Sequence, residues 1–244
     1  MDVTHQVMIT QNADEAGYYA ANHIPYVVWL NERNTDQSFP SGAYCVENLS
    51  DIDARYLDRV YRRFHDIPWD IAETERLKIR EIAVTDVPQL YELYSDASIT
   101  QYMEPLFADP EQEVTYTKEY IKNIYGFYGF GMWVLEEKKQ GQVIGRAGLE
   151  YKEGFEGLEL GFMLGVQYQH KGYAYEACSE ILAYGIRELD QRTYCSFINE
   201  NNTASIHLCE RLGFTPQDKV RLGEIDFDGT TVEKEFIQYV YHAD

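Results

Sequence analysis

Residues 157–177 read GLELGFMLGVQYQHKGYAYEA, a pattern of strand, turn and helix. Leu158, Leu160, Phe162 and Leu164 alternate onto one face and Glu159, Gly161 and Met163 share the other, which is the two-residue period of a strand. The turn holds Gln169, His170, Lys171 and Gly172; beyond Tyr173, residues Ala174, Cys178, Ile181, Leu182 and Leu189 recur along one helical stripe. A helix start offers N–H groups without intrahelical acceptors and the positive end of the dipole, and glycine lets main chain approach a ligand closely. The stretch outlines a diphosphate cradle, although one glycine in a strand-to-helix turn is a weak signal alone.

Working outward, RLKIREI (76–82) alternates as a strand, VTDVPQLYELYSD (84–96) reads as a helix, and EQEVTYTKEYIKNIYGFYG (111–129) as a second, tyrosine-rich helix. FGMWVLEEK, QVIGRAGLEY and GLELGFMLG are strands joined by short turns at KKQG and KEGFEG, which suits antiparallel hairpins. TYCSFIN is a further strand, NNTASIHLCERLGF a helix closed at Gly213, and VEKEFIQYVYH the final strand. The expected class is α+β: a mixed, mostly antiparallel central sheet with flanking helices.

The first segment differs. Val7–Ile9, DEAGYYAANH and IPYVVWL alternate as strand, helix and strand, the signature of a βαβ unit with parallel strands. The polar loop NERNTDQSFPSG precedes AYCVENL, and a second helix carries Leu57, Val60, Tyr61 and Phe64. Pro68 marks the boundary, giving a small α/β domain over residues 1–72 and a larger domain over 73–244.

The 244 residues carry 21 Lys+Arg against 41 Asp+Glu, a formal charge of −20, with 45% hydrophobic residues. Such a balance supports a buried core and opposes nucleic acid or an anionic membrane as partner, since phosphate backbones are gripped by clustered Lys and Arg. No apolar run approaches the roughly 20 residues of a membrane-spanning helix, and MDVTHQVMIT lacks a signal-peptide layout, so the expected location is cytoplasmic. Cys45, Cys178, Cys195 and Cys209 are scattered without metal-ligand spacing; reduced thiols and no metal site are expected.

Four marks in order, TERLKIR (74–80), LELGF (158–162), QHKGYAYEA (169–177) as a [QR]xxGx[GA] motif, and NTASIHLCERLGF (202–214), make the chain resemble the GNAT superfamily of acyl-CoA N-acyltransferases. The likeness spans about 170 residues from Thr74 and points to the branch holding ribosomal-protein N-terminal acetyltransferases. The first segment, MITQNADEAGYYAANHIPYVVWL, weakly resembles the last βαβ piece of haloacid-dehalogenase-like hydrolases, but that family's DxD nucleophile motif has no counterpart here, which favours a structural or docking role.

The GNAT resemblance implies a splayed strand pair and acetyl-CoA as co-substrate. It implies that main-chain N–H groups from Gln169 through Ala174 (Gln169, His170, Lys171, Gly172, Tyr173, Ala174) hold the CoA diphosphate, and that Phe162, Met163 and Leu164 pair with the pantetheine arm. The Met163 N–H is the candidate for polarising the thioester carbonyl. Asn202 and Ser205 are implied contacts to the CoA arm, with ordinary helix capping as the other reading. An amine of pKa near ~10 must lose a proton before attack, and Glu159 is the candidate base, acting through water. Many members carry tyrosine five residues before the phenylalanine of the GF pair as proton donor; this chain has Cys209 there, as a candidate acid or a packing cysteine.

Acceptor recognition is expected from Tyr102, Glu104 and Tyr128, with Met103, Tyr116, Tyr120 and Tyr125 nearby in sequence and core packing as the plainer account of most tyrosines. The expected activity is acetyl transfer from acetyl-CoA to a primary amine of a small molecule or peptide N-terminus, by direct attack in a ternary complex. A non-catalytic CoA-binding regulatory module is the alternative, and a homodimer is compatible with the chain.

Overall fold

The structure, a computed structural model, describes residues 6–225 and 231–243; Met1 through His5, where the N-terminal targeting reading begins, lie outside the described residues. The chain divides into two units, Met1–Trp69 and Asp70–Asp244. The division falls just before the expected boundary at residue 72, because Asp70 already belongs to a strand of the larger sheet.

The first unit is a parallel three-stranded sheet, β1 (Met8–Thr10), β2 (Tyr26–Trp29) and β3 (Tyr44–Val46), in that order. Helix α1 (Ala13–Ala21) is capped by the Asn12 side chain and covers one face, packing Ala16 against Tyr26 and Val28. Helix α2 (Ala54–Phe64), capped by Asp53, places Val60 against Val7, Val27 and Val46 on the other. Val27 and its neighbours Tyr26 and Val28 therefore point to opposite helices, as strand alternation requires.

The second unit is an eight-stranded mixed sheet: β4 (Asp70–Glu73), β5 (Leu77–Arg80), β6 (Met132–Glu137), β7 (Gln142–Tyr151), β8 (Leu158–Leu164), β9 (Thr193–Ile198), β10 (Thr215–Ile225) and β11 (Thr231–His242). Its order is β10-β11-β9-β8-β7-β6-β5-β4, and β8–β9 is the parallel pair. Helix α3 (Val87–Tyr94) buries Leu90 and Leu93; α4 (Pro110–Tyr120), capped by Asp109, runs into a π-helical turn (Ile121–Tyr125) and a short α5 (Gly126–Tyr128) that ends on left-handed Gly129. Helix α6 (Tyr173–Leu189) buries Cys178, Ile181 and Leu182 of the stripe read from sequence, together with Ala177, while Ala174 and Leu189 of that stripe are half-buried. Helix α7 (Thr203–Leu212) ends on Gly213, with φ +96°.

Two strands were not anticipated. β4 extends the sheet as a hairpin with β5, and β10, TPQDKVRLGEI, is a polar strand without apolar alternation. It forms an edge hairpin with β11, which takes its ladder bonds from one side, and its Pro216 sits where the register shifts, a position in which a missing N–H costs little.

Candidate active site

The β8–β9 pair is held in register at Leu158↔Tyr194 and Glu159↔Cys195, and no further register pair joins these strands. β8 nevertheless continues to Leu164 against β7, so its second half has a ladder on one side. Past the last paired residues, the Ser196 hydroxyl donates to the Leu160 carbonyl at 2.8 Å. Gly157, with φ +84°, lets the strands approach at the paired end: a Cβ there would lie 2.2 Å from the Thr193 oxygen.

The register also decides which main-chain groups face the open side. Gly165 N–H donates to Ile144 O, so the pairs Met163↔Arg146 and Gly161↔Gly148, spaced by two, are the hydrogen-bonded ones of the β7–β8 ladder. Met163 N–H therefore points into the ladder and is corrected as the polarising donor. The N–H groups that face the open side are those of Phe162 and Leu164, and Phe162 is the one nearer Glu159. The Leu164 carbonyl also faces this side and accepts from Gln169 Nε2 at 3.0 Å, which engages the Gln169 side chain with the end of β8.

The turn after β8 is built from left-handed residues, His170 at φ +59° and Gly172 at φ +83°. The N–H groups of His170, Lys171, Gly172, Tyr173 and Ala174 meet no acceptor among the described residues. Five donors at one helix start fit an anion. The Lys171 ammonium lies 5.9 Å from the Tyr168 ring. Arg76, to which sequence reading gave no role, packs 4.2 Å over the Tyr173 ring and donates to the Lys171 carbonyl at 2.9 Å. Only the folded chain brings residues 76 and 171 together.

A cleft of about 260 Å³ is lined by Ile124, Tyr128, Phe130, Leu149, Glu150, Tyr151, Lys152 and Glu159. Glu159 and Glu150 are direct cross-strand neighbours and so share one face of the sheet. Glu159 is about a quarter exposed and faces the Lys152 ammonium at 3.6 Å, while Glu150 accepts a 2.7 Å bond from the Tyr120 hydroxyl. Between these carboxylates and the Arg146–Met163 pair the floor is Gly148 and Gly161. Cys195, in register with Glu159, is buried, and burial together with the Glu159 charge pushes its thiol up to about 12.

Of the acceptor candidates, Tyr128 lines this cleft. Tyr102 instead donates to the Asn201 carbonyl at 3.2 Å, beside the start of α7. Glu104 acts electrostatically on Tyr116. Tyr120 and Tyr125 are buried, as the packing account expects; Tyr120 also accepts from Met132 N–H, and Tyr125 donates to Met132 O. Burial, and for Tyr120 the adjacent Glu150, push both phenols up. Arg146 was missed: it is hydrogen-bonded to Tyr94, and its Nε is buried without a partner among the described residues.

At α7, Asn202 Oδ1 accepts from Ser205 N–H at 3.2 Å, so Asn202 is the helix cap and its amide nitrogen is left for other contacts. Cys209 is fully buried and hydrogen-bonded to Ser196; burial pushes its thiol up to about 11. A thiol with no exposed surface cannot reach a leaving group in the cleft, so the candidate acid is corrected to a packing residue.

Residues 76–215 match the family model of the acetyltransferase (GNAT) domain. The chain is 28% identical over 151 residues to the Bacillus subtilis (strain 168) protein YkkB, covering 61% of this chain and 87% of that one. It is also 28% identical over 152 residues to an uncharacterized N-acetyltransferase of Bacillus licheniformis, p20, covering 61% and 84%. The ribosomal L7/L12 alpha-N-protein acetyltransferase RimL, solved with coenzyme A, superposes with a TM-score of 0.60 at 17% identity, over 72% of this chain and 99% of that one. This chain belongs to the GNAT acetyltransferase family, and the match begins after the first unit.

Proposed function

We propose that the protein transfers an acetyl group from acetyl-CoA to a primary amine by direct attack within a ternary complex. The observation that carries this reading is the co-location, on one strand, of a carboxylate in a cleft and an open main-chain edge that leads into a turn with five N–H groups that meet no acceptor among the described residues. When bound, the donor supplies an acyl group activated as a thioester. The turn from His170 to Ala174 binds its diphosphate, Gln169 dropping out because its N–H donates to the Val166 carbonyl at 3.2 Å; the open side of β8 beyond Glu159 takes the pantetheine arm as an added strand. Phe162 N–H is placed to hold the thioester oxygen as negative charge develops there. The Asn202 amide nitrogen and the Ser205 hydroxyl, at the start of α7, are assigned to the same arm.

Glu159 removes the proton from the incoming ammonium, directly or through one water, with the Lys152 ammonium 3.6 Å from its carboxylate. The acceptor enters past Tyr128 and Phe130, where apolar walls and two carboxylates suit a cationic amine; a peptide N-terminus, the group named for RimL, is one such acceptor. With Cys209 out of reach, solvent protonates the departing thiolate. The N-terminal unit, for which the haloacid-dehalogenase-like likeness supplies no nucleophile, is assigned a structural or docking role. Replacing Glu159 by Gln should lower kcat about 10²- to 10⁴-fold and flatten the acid limb of the pH profile. Unchanged transfer with every amine would remove Glu159 as the base, whereas a wild-type chain that binds CoA but acetylates no amine would favour the non-catalytic CoA-binding module.

A further inference from the structure

We propose that Arg76 and Glu176 are a positioning pair that orients the central peptide of the diphosphate turn and so sets affinity for the nucleotide half of the acyl donor. The inference rests on the function proposed above and adds two residues to which no motif assigned this task.

Glu176 lies one turn into α6, yet its carboxylate is engaged by the β4–β5 hairpin a hundred residues away. Oε1 accepts from the Thr74 hydroxyl at 2.5 Å and from Arg76 N–H at 2.9 Å, and Oε2 accepts from Arg76 Nε at 2.7 Å. A second guanidinium nitrogen, Nη2, stands 2.6 Å from the same Oε2. The remaining nitrogen, Nη1, donates to the Lys171 carbonyl at 2.9 Å. The guanidinium plane lies over the Tyr173 ring, and Nη2 sits 3.4 Å from where a Cβ on Gly172 would be.

These contacts have one geometric consequence. In a trans peptide the C=O and the following N–H point in opposite directions. Tying the Lys171 carbonyl to Arg76 turns the Gly172 N–H away from the hairpin, toward the side on which the unpaired donors gather. Gly172, at φ +83°, is the residue that tolerates this turn of the chain. Arg76 does not act as a free positive charge, because Glu176 neutralises it. Its rigid fork of donors is what the arrangement uses: it meets a carboxylate and a carbonyl at once, whereas the single ammonium of lysine cannot do both with fixed geometry.

The test uses the full chain and calorimetry with two probes, CoA and its nucleotide fragment 3′-phospho-ADP, which shares the diphosphate but lacks pantetheine. Arg76→Ala is expected to weaken both by the same factor, about tenfold or more. Arg76→Lys, which restores charge without the fork, should rescue little of it. In turnover, KM for acetyl-CoA should rise with the calorimetric loss while kcat at saturation and KM for the amine hold. If Arg76→Ala melts too low to be measured, Glu176→Gln, which keeps the shape and the Thr74 contact, decides by the same two affinities. Variants that bind both probes within twofold of the wild type overturn the proposal and leave the acyltransferase reading standing. Full rescue by Arg76→Lys also overturns it, because charge alone would then explain the effect. A wild-type chain that takes up neither probe sinks the acyltransferase reading itself.

Discussion

Phe162 and Cys209 show how far a residue's role depends on where its groups point. The sequence places Met163 beside the glutamate-bearing face, but the ladder parity set by Gly165 and Ile144 gives the outward N–H to Phe162. Cys209 occupies the position of a proton donor in the motif and is packed against Ser196 instead. Cys209→Ala is therefore expected to leave kcat within about twofold while costing on the order of 1 kcal/mol in stability for the small void, measured by turnover and denaturant titration. A hundredfold loss of kcat would restore the thiol to catalysis. Glu176 carries a pH signature. Burial raises its pKa, but the Thr74 hydroxyl, the Arg76 N–H and the guanidinium outweigh it, so the net shift is downward. A carboxyl depressed in the folded state contributes stability that is present above its ordinary range and lost as pH falls through the native value. The melting temperatures of wild type and Glu176→Gln should differ at neutral pH and converge in acid.

At the scale of elements, two junctions hold the site. The start of α3 is fixed by Arg80, which meets Asp86 through two bonds of 2.8 and 2.9 Å and Glu136 of β6 through a third of 2.8 Å; Asp86 is itself buried and accepts from Ala83 N–H. Asp86→Ala removes two of the three carboxylate bonds of a largely buried guanidinium, leaving Glu136, and should cost about 1.5–3 kcal/mol by denaturant titration. The other junction is the close approach of β8 and β9 at Gly157. Gly157→Ala sets a methyl against the Thr193 carbonyl in a strained φ region, so it should destabilise by roughly 1–3 kcal/mol and loosen the end of the pair next to Glu159. Equal stability of this variant would mean that the strands do not need to meet there. Helix α6 and strands β5 and β8 were legible because each buries a face with a period the sequence displays, while β6 and β7, buried on both faces, show as apolar runs bounded by turns. β10 was not legible, since an edge strand exposed to solvent needs no apolar alternation.

For the whole molecule, the division into two units places every residue of the candidate site on one side of Trp69. Each unit has its own sheet and its own core. A fragment beginning at Asp70 is expected to bind CoA within about twofold of the full chain, as independently cored domains do. A tenfold loss would show that the first unit supports the cradle. The formal charge of −20 bears on the same site. An anionic donor reaches this chain against its overall field, so binding depends on short-range donors at the turn, which act inside the screening length.

What the sequence determined by itself was the local grammar: the strand, turn and helix of 157–177, the order of the four motifs, and the candidate carboxylate at Glu159. The first follows from periodicity and from glycine's freedom, which are properties of short stretches; the motif order and the role of Glu159 follow from the family resemblance. What tertiary structure alone decided was pairing. The ladder parity that chose Phe162 over Met163, the burial of Cys209, the juxtaposition of Glu150 with Glu159, and the reach of Arg76 across a hundred residues to Glu176 and Lys171 each depend on two distant segments meeting in one register, and that register is fixed by the whole sheet.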